Sequence, residues 1–242
     1  MFILCLLLIV ILSLLSYCGY ILLNEFKEYN EVFDTQNEII GEIVSNTKES
    51  PYSDSEFSID WNKLQSINSD VCAWIRVPDT NINFPVVHSS NNDKYLKRNI
   101  YGGYSRGGTV FVDANISNPF TCKNTVIYGH NLMNGTMFSQ IKKYSNSEFY
   151  NAHNIIYIYL PNGEIREYKV LSLHIVKADD KNIYNPYVTD IEKYSEFVFQ
   201  NNKISGVNVE IYSNDNMITL STCTNTDDNE RYVLHAVWVN KV

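Results

Sequence analysis

Three side chains in this sequence belong to types that act together in covalent chemistry. Cys223 ends the run 218–223, which is typical of a β-strand, and Arg231 begins a second such run after a short polar loop. His130 follows a Tyr-Gly pair at the end of an earlier apolar run. A thiolate is a nucleophile, an imidazole carries protons, and a guanidinium stabilises developing negative charge. Together they are a candidate set for thiol-based acyl transfer.

Cys223 also has a structural interpretation, because an isolated cysteine in a strand is most often a buried and unreactive side chain. However, Cys223 stands at the end of its run, before Thr224-Asn225, where its thiol can face a groove. Cys72 and Cys122 lack such surroundings, and we expect them to be buried or incidental. Cys223 is therefore the predicted nucleophile.

The sequence contains five histidines, and most of them have a structural explanation. His174 and His235 lie inside predicted strands, so we expect them to be packing residues. His88 and His153 belong to loops or to the surface. His130 lies where a strand must turn, which makes it the candidate for proton transfer.

Arg231 is predicted to return to the side of Cys223. If the strands 216–222 and 232–239 form an antiparallel pair, the loop 224–230 closes a hairpin that brings the two residues together. The alternative for Arg231 is a salt bridge to an acidic residue of that loop, which contributes little to stability if it is exposed.

From Val71 onward the sequence has a β pattern, rich in Val, Ile, Tyr and Phe and interrupted by turn residues. The predicted strands are 71–77, 82–87, 108–112, 124–128, 155–160, 165–177, 207–212, 216–222 and 232–239. Pro161-Asn162-Gly163 predicts a hairpin turn. Helices are predicted at 136–144 and 189–201, the second with a Thr189/Glu192 capping box. Its predicted buried face consists of Ile191, Tyr194, Phe197 and Val198. Many short strands with few helices favour a closed or nearly closed β-barrel.

The N-terminal region differs from the rest of the chain. Residues 1–23 contain no charged side chain and are long enough to cross a bilayer, so we predict an uncleaved transmembrane signal-anchor. A cleaved signal is the alternative, but no basic segment or small-residue cleavage site is present. Residues 24–58 are predicted as an amphipathic helix and linker, and 59–242 as the catalytic domain. The predicted apolar face of the helix is Phe26, Tyr29, Phe33, Gln36, Ile40 and Ile43. A short helix is predicted after Asp60, its N-cap.

Composition excludes several classes of function. The net charge is −8 and basic residues do not cluster, so a nucleic-acid-binding protein is not expected. Two of the five cysteines lie in the apolar N-terminal segment, and the odd remainder does not support a disulfide framework. The Cys-x-x-Cys and His-Glu-x-x-His motifs are missing, so no metal site is predicted.

The Thr-Leu-Ser-Thr-Cys run at 219–223, the following Arg231 and the Tyr-Gly-His run at 128–130 together resemble the sortase family. The segments 74–87, 95–96, 107–113 and 135–138 are also similar to sortase segments, and the resemblance covers about 60–242. The N-terminal helices and the helix at 189–201 resemble class B in particular. This resemblance implies a mainly β protein: a sortase-type closed eight-stranded β-barrel with N-terminal helices and a helix inserted between two late strands.

The same resemblance implies a cysteine transpeptidase. Such an enzyme is anchored in the cell membrane of a Gram-positive-type cell by a single pass, with its catalytic domain extracellular. It cleaves the C-terminal sorting signal of a surface protein after Thr, and the signal is of the Asn-Pro-x-Thr-Asn or Pro-x-Thr-Gly type. It then joins the acyl group to an amine of a peptidoglycan precursor or of another protein. No cofactor is expected.

By the same resemblance, Cys223 attacks, His130 carries protons and Arg231 stabilises the oxyanion. The predicted substrate-binding residues are Ser221, Leu96, Asn92, Tyr184 and Tyr187. Two alternatives remain open at this point: a cysteine endopeptidase that resolves the acyl-enzyme with water, and a non-catalytic binding module.

Overall fold

The computed structural model describes residues 2–46, 57–200 and 202–241. Its helices are α1 (Phe2–Ile43), α2 (Trp61–Ile67), α3 (Ser147–His153) and α4 (Ile191–Gln200), with a 3-10 helix at Ser139–Ser145. Its strands are β1 (Val44–Asn46), β2 (Phe57–Ile59), β3 (Val71–Arg76), β4 (Asn83–His88), β5 (Val110–Val112), β6 (Asn124–Tyr128), β7 (Ile155–Tyr159), β8 (Ile165–Lys177), β9 (Met217–Cys223) and β10 (Glu230–Lys241). Most of the predicted linker lies outside the described residues.

The strands from β3 to β10 form a closed barrel in the order β10-β8-β7-β3-β4-β5-β6-β9. β4 pairs with β5 in parallel, as β6 does with β9, and the other neighbouring strands are antiparallel. β1 and β2 form a separate small sheet, while α4 connects β8 to β9. The predicted closed eight-stranded barrel with a helix inserted between two late strands is confirmed.

The barrel strands are apolar almost throughout because both of their faces are covered. Successive residues of a strand point to opposite faces. Ile75 therefore belongs to the cluster inside the barrel, while the neighbouring Trp74 packs outside it against α2 and the end of α1. α4 covers another outer patch, which includes Val233 of β10. This double coverage explains the continuous apolar runs of the sequence.

One predicted strand, 207–212, is not a strand in the structure. Its alternate residues Val207, Val209 and Ile211 nevertheless pack against the cluster beneath α4. However, β9 already pairs with β10 on one side and β6 on the other. A closed barrel offers no free edge to a further strand.

The predicted helix at 136–144 is a 3-10 helix shifted toward the C-terminus, and α3 follows it without having been predicted. Asn146 caps α3, since its side chain accepts hydrogen bonds from the N–H groups of Glu148 and Phe149. At α2, the predicted N-cap Asp60 is confirmed by its bond from the Lys63 N–H.

The predicted capping of α4 was wrong by one residue. Asp190, not Thr189, accepts the hydrogen bond from the Lys193 N–H, at 3.0 Å. Both residues are good N-caps, and sequence alone does not separate adjacent candidates. Ile191, Tyr194 and Val198 are buried as expected, whereas Phe197 is 38% exposed.

The predicted anchor and amphipathic helix form one continuous helix, α1. The side chains that α1 buries are Val32, Gln36, Ile39 and Ile43. The predicted face was partly wrong, because Phe26 and Phe33 are exposed. Apolar residues are adjacent at 32–33 and again at 39–40. The helix therefore has two candidate apolar faces about 100° apart, each with the same residue spacing, and contact with the barrel buries one of them.

Polar contacts also hold α1 against the domain. Gln36 Nε2 donates to the carbonyl oxygens of Asn81 and Asn83, at 3.1 and 3.2 Å. Nearer the N-terminus of α1, Glu25 and Glu28 contact Arg106 of the barrel domain at 3.4 and 3.3 Å. The Arg106 guanidinium also lies 5.0 Å from the centre of the Tyr29 ring. Contacts with the barrel domain therefore cross the boundary that was predicted at residue 59.

His235 lies in a buried polar cluster between the barrel wall and α4. Its Nδ1 lies 3.2 Å from Ser172 Oγ and its Nε2 lies 3.5 Å from the Tyr194 hydroxyl. The His174 ring packs edge-on at 5.5 Å. Both histidines are buried, which confirms them as packing residues. Burial, together with the neighbouring His174, lowers the pKa of His235 to about 3.

We expect this cluster to make the fold sensitive to acid. Because the pKa of His235 is lower in the folded state, the unfolded chain takes up the proton first as the pH falls. The contribution of His235 to the free energy of unfolding is therefore complete above about pH 6.5. It is lost progressively as the pH falls toward about 3. From pH 7 to pH 4.5 the loss is about 2 kcal/mol, measurable by urea unfolding. A His235→Asn variant should lose less stability over the same pH range. An equal loss would mean that His235 is not the cause of the acid sensitivity.

Candidate active site

A pocket of about 250 Å³ opens at one end of the barrel, where β6 and β9 end and β10 begins. Most of the predicted site residues line it. They are Asn92, Leu96, His130, Tyr184, Ser221, Cys223 and Arg231. Residues far apart in the sequence are therefore brought together by the strand order of the barrel.

Tyr187 is the predicted site residue that the structure places elsewhere. Its side chain is 66% exposed and its hydroxyl donates to the Asn115 carbonyl oxygen at 2.6 Å. It lines a different pocket, together with Cys122. The pocket around Cys223 therefore gives no support to a role for Tyr187 in substrate binding.

Cys223 and Arg231 are direct partners in the register of β9 and β10. Cys223 is the last residue of β9, and the short loop after it closes the predicted antiparallel hairpin. Both side chains are partly buried. Directly opposite positions in an antiparallel pair have Cβ atoms about 5 Å apart, so the thiol and the guanidinium start from neighbouring positions.

The guanidinium of Arg231 is held by the backbone of its own loop. Nη1 donates to the carbonyl oxygens of Asp228 and Glu230, at 2.7 and 2.8 Å. Within the described part of the chain, the Arg231 side chain forms no ion pair, so the alternative of a salt bridge in the loop is not what the structure shows. The Nε and Nη2 groups carry further N–H donors.

His130 lies two residues after the end of β6, where the chain turns through Gly129. A Cβ atom at Gly129 would come within 2.7 Å of the Phe138 ring, so this position requires glycine. The Nε2 atom of His130 lies 2.8 Å from the carbonyl oxygen of Leu96. A carbonyl oxygen only accepts hydrogen bonds, so Nε2 carries the hydrogen and Nδ1 is the nitrogen that can exchange protons.

The surroundings of His130 favour its neutral form. Burial lowers the pKa of the imidazole below its ordinary value, and the nearby positive charge of Lys97 acts in the same direction. The bond to the Leu96 carbonyl opposes this shift in part. At neutral pH the imidazolium form of His130 is therefore a minor species.

The wall of the pocket contains two hydrogen-bonded groups that were not predicted from the sequence. Tyr128 donates its hydroxyl hydrogen to Asp113 Oδ2 at 2.8 Å, and Asn92 Nδ2 lies 3.5 Å from the same oxygen. On the other side, the Tyr184 hydroxyl and Ser221 Oγ are 3.0 Å apart. The position of Tyr128 just before Gly-His was a usable signal, but nothing in the sequence pairs it with Asp113.

The described residues contain no group of three His, Cys, Asp or Glu side chains that could hold a metal ion. The other two cysteines of the domain have no histidine or arginine partner in the hydrogen bonds described. Cys72 Sγ contacts the Val86 carbonyl at 3.5 Å, and burial raises its pKa to about 12. Cys122 Sγ contacts the Asn124 carbonyl at 3.3 Å. Neither thiol has the setting of a nucleophile.

Comparison with known proteins agrees with this geometry. The sortase domain family matches residues 75–239. Sortase B of Listeria monocytogenes is 35% identical over 170 residues, which cover 69% of this chain and 68% of that protein. The structure of Clostridium perfringens sortase B is 33% identical, with a TM-score of 0.68, and the match covers 74% of this chain and 99% of that one.

A Bacillus anthracis protein similar to sortase B is 29% identical, with a TM-score of 0.71, and the match covers 90% of this chain and 98% of that one. The family match, the curated relatives and the shared barrel lead to one assignment. The chain belongs to the sortase family as a class B member, and sortases are cysteine transpeptidases.

Proposed function

We propose that Cys223, His130 and Arg231 are the catalytic residues of this transpeptidase. The observation that supports this best is that Cys223 and Arg231 are register partners in the same pocket as His130. The proposed substrate is a surface protein with a C-terminal sorting signal, which is cleaved after Thr. The acceptor is an amine of a peptidoglycan precursor or of another protein.

In the first half of the reaction, the thiolate of Cys223 attacks the carbonyl carbon of the Thr residue. A carbon–sulfur bond forms and the carbonyl oxygen becomes an oxyanion beside Arg231. When the tetrahedral species collapses, the carbon–nitrogen bond breaks. The leaving amine takes a proton from His130, for which Nδ1 is the available atom. The products are a thioacyl-enzyme and the free C-terminal fragment.

In the second half, the acceptor amine attacks the thioester carbon. A new amide bond forms, the carbon–sulfur bond breaks, and the proton lost by the amine passes to His130. The Cys223 thiolate and the protonated His130 with which the first half began are restored. Arg231 serves both steps, because each passes through an oxyanion at the same place.

We propose that the sorting signal binds along the pocket wall formed by Asn92, Leu96, Tyr184 and Ser221. Leu96 offers an exposed apolar surface, and Asn92, Tyr184 and Ser221 contribute polar atoms. Asn92 is itself fixed, since its Oδ1 accepts the Ala114 N–H at 2.8 Å. A wall with both apolar and fixed polar groups suits a short peptide in extended conformation.

We further propose that the N-terminal part of α1 anchors the enzyme in the cell membrane by a single pass, with the catalytic domain outside the cell. The helix Ile3–Ile43 contains an apolar window with a mean hydropathy of 2.6, and none of that window is buried against the rest of the protein. About 20 apolar residues are enough to span a bilayer. The predicted division into anchor (1–23), helix and linker (24–58) and catalytic domain (59–242) is retained as part of this proposal.

The proposed reaction predicts a ligation product that hydrolysis cannot form. The full chain in detergent is incubated with a peptide of the Asn-Pro-x-Thr-Asn type and an excess of a small primary amine. Mass spectrometry is expected to show the acyl fragment joined to the amine through Thr. If only the free Thr carboxylate forms at every amine concentration, the enzyme is an endopeptidase. A protein that binds the peptide without cleaving it would be a binding module.

A further inference from the structure

The backbone pairing of β6 with β9 stops just before the two proposed catalytic residues. The Gly129 N–H still donates to the Ser221 carbonyl oxygen, at 3.1 Å. Carbonyl groups two residues apart in a strand point to the same side, so the Cys223 carbonyl is the next one along this edge. By then the chain after β6 has turned away, and the His130 carbonyl accepts the Phe138 N–H at 2.9 Å.

The side chain of Asn131 supplies the donor at this point. Its Nδ2 donates to the Cys223 carbonyl oxygen at 2.8 Å, and Asn131 is only 8% exposed. Asn225 makes the reverse contact, since its Nδ2 donates to the Asn131 carbonyl oxygen at 3.0 Å. Asn225 has a φ of 64°, a left-handed conformation that asparagine adopts more readily than most residues.

These two hydrogen bonds join the residue after His130 to the segment that contains Cys223. They continue the strand pairing with side chains where the backbone can no longer do so. His130 is held on its other side by the Leu96 carbonyl. The position of the imidazole relative to the thiol therefore depends on a small number of identifiable contacts.

We propose that Asn131 and Asn225 are positioning residues, which hold His130 and Cys223 at the separation that proton transfer requires. The proposal rests on the proposed catalytic roles of His130 and Cys223. Neither asparagine is among the residues that line the pocket, so both act through their neighbours. A displacement of about 1 Å at a reacting group can cost about 100-fold in rate.

The test uses the full chain in detergent and a sorting-signal peptide with an amine acceptor. Asn131→Ala and Asn131→Asp are expected to lower kcat about 10- to 100-fold. KM should change little, because Asn131 does not touch the substrate wall. Aspartate has the shape of asparagine but its carboxylate cannot donate, so Asn131→Asp separates the hydrogen bond from the volume. Asn225→Gly keeps the left-handed backbone and removes the amide, and a smaller fall in kcat is expected.

Asn202→Ala is the matched control. Asn202 Nδ2 also donates to two backbone carbonyls, those of Leu171 and Ile204, but Asn202 lies outside the pocket. This variant is expected to lower the Tm without lowering kcat. A second readout is the pH profile of Cys223 alkylation by iodoacetamide. Asn131→Ala should shift this profile, because the thiol responds to the position of His130, and Asn202→Ala should not.

The proposal is overturned if Asn131→Asp keeps the kcat of the unmodified enzyme. It is also overturned if Asn131→Ala and Asn202→Ala lose kcat in the same proportion to their loss of Tm. Cys223→Ala separates this result from a failure of the proposed function. If Cys223→Ala is inactive while the Asn131 variants are fully active, the catalytic assignment stands and only the positioning role is wrong.

Discussion

Replacing Cys223 with alanine is expected to abolish transpeptidation, with a loss of at least about 10⁴-fold in kcat. The substitution removes the proposed nucleophile but little volume, and the partly buried side chain lies at the end of β9. The pocket wall remains intact, so the sorting-signal peptide should bind with nearly unchanged affinity. Turnover by mass spectrometry and peptide binding by fluorescence anisotropy measure the two effects separately.

The controls are the other two cysteines of the domain. Cys72→Ala and Cys122→Ala remove thiols that contact backbone carbonyl oxygens away from the pocket. They are expected to lower the Tm at most and to leave kcat unchanged. Measurable transpeptidation by Cys223→Ala would mean that the nucleophile has been assigned to the wrong residue.

Replacing Arg231 with lysine is expected to reduce kcat about 100-fold, which is typical for the loss of an oxyanion donor. In the structure, Nη1 is bound to the carbonyls of Asp228 and Glu230. The remaining donors of the guanidinium are thereby held in a fixed plane. Lysine keeps the charge, but its single ammonium group cannot occupy the loop carbonyls and the oxyanion position with the same geometry.

Alkylation of Cys223 by iodoacetamide distinguishes the possible roles of Arg231. Alkylation requires a thiolate but forms no oxyanion, so its rate in Arg231→Lys should be close to that of the unmodified enzyme. An equal slowing of alkylation and turnover would show that Arg231 acts on the thiol, and the oxyanion role would be wrong. Arg106→Lys makes the same exchange at an arginine outside the pocket and should leave both rates unchanged.

The sequence predicted the barrel well because its signals are local and repeated. Each strand has its own apolar run and its own turn residues. The hairpin at Pro161-Asn162-Gly163 was identified from three residues, and the Leu160 N–H indeed donates to the Glu164 carbonyl at 2.9 Å. The register of Cys223 with Arg231 followed from the short loop between two runs. The catalytic set could therefore be proposed before its geometry was known.

The sequence failed where a choice depends on contacts between distant segments. It did not distinguish Val32 from Phe33 as the buried residue of α1, because both fit a helical face. It did not connect Asn92 to Tyr128 through Asp113, since these residues are joined only when β5 and β6 pair. Asn131 was likewise not identified, because its partner is a backbone carbonyl 92 residues away. Such contacts have no local pattern.

The continuity of α1 has a mechanical consequence for how the enzyme meets its substrates. A helix of 42 residues is about 63 Å long. With the anchor (1–23) in the bilayer, as proposed, the rest of α1 runs directly into contacts with the barrel, and no flexible tether lies in between. The rigid helix then fixes the height and the tilt of the catalytic pocket above the membrane. The proposed sorting signals would then have to arrive within a narrow layer above the lipid. An insertion of two residues near Leu23 would turn the pocket by about 200° around the helix axis.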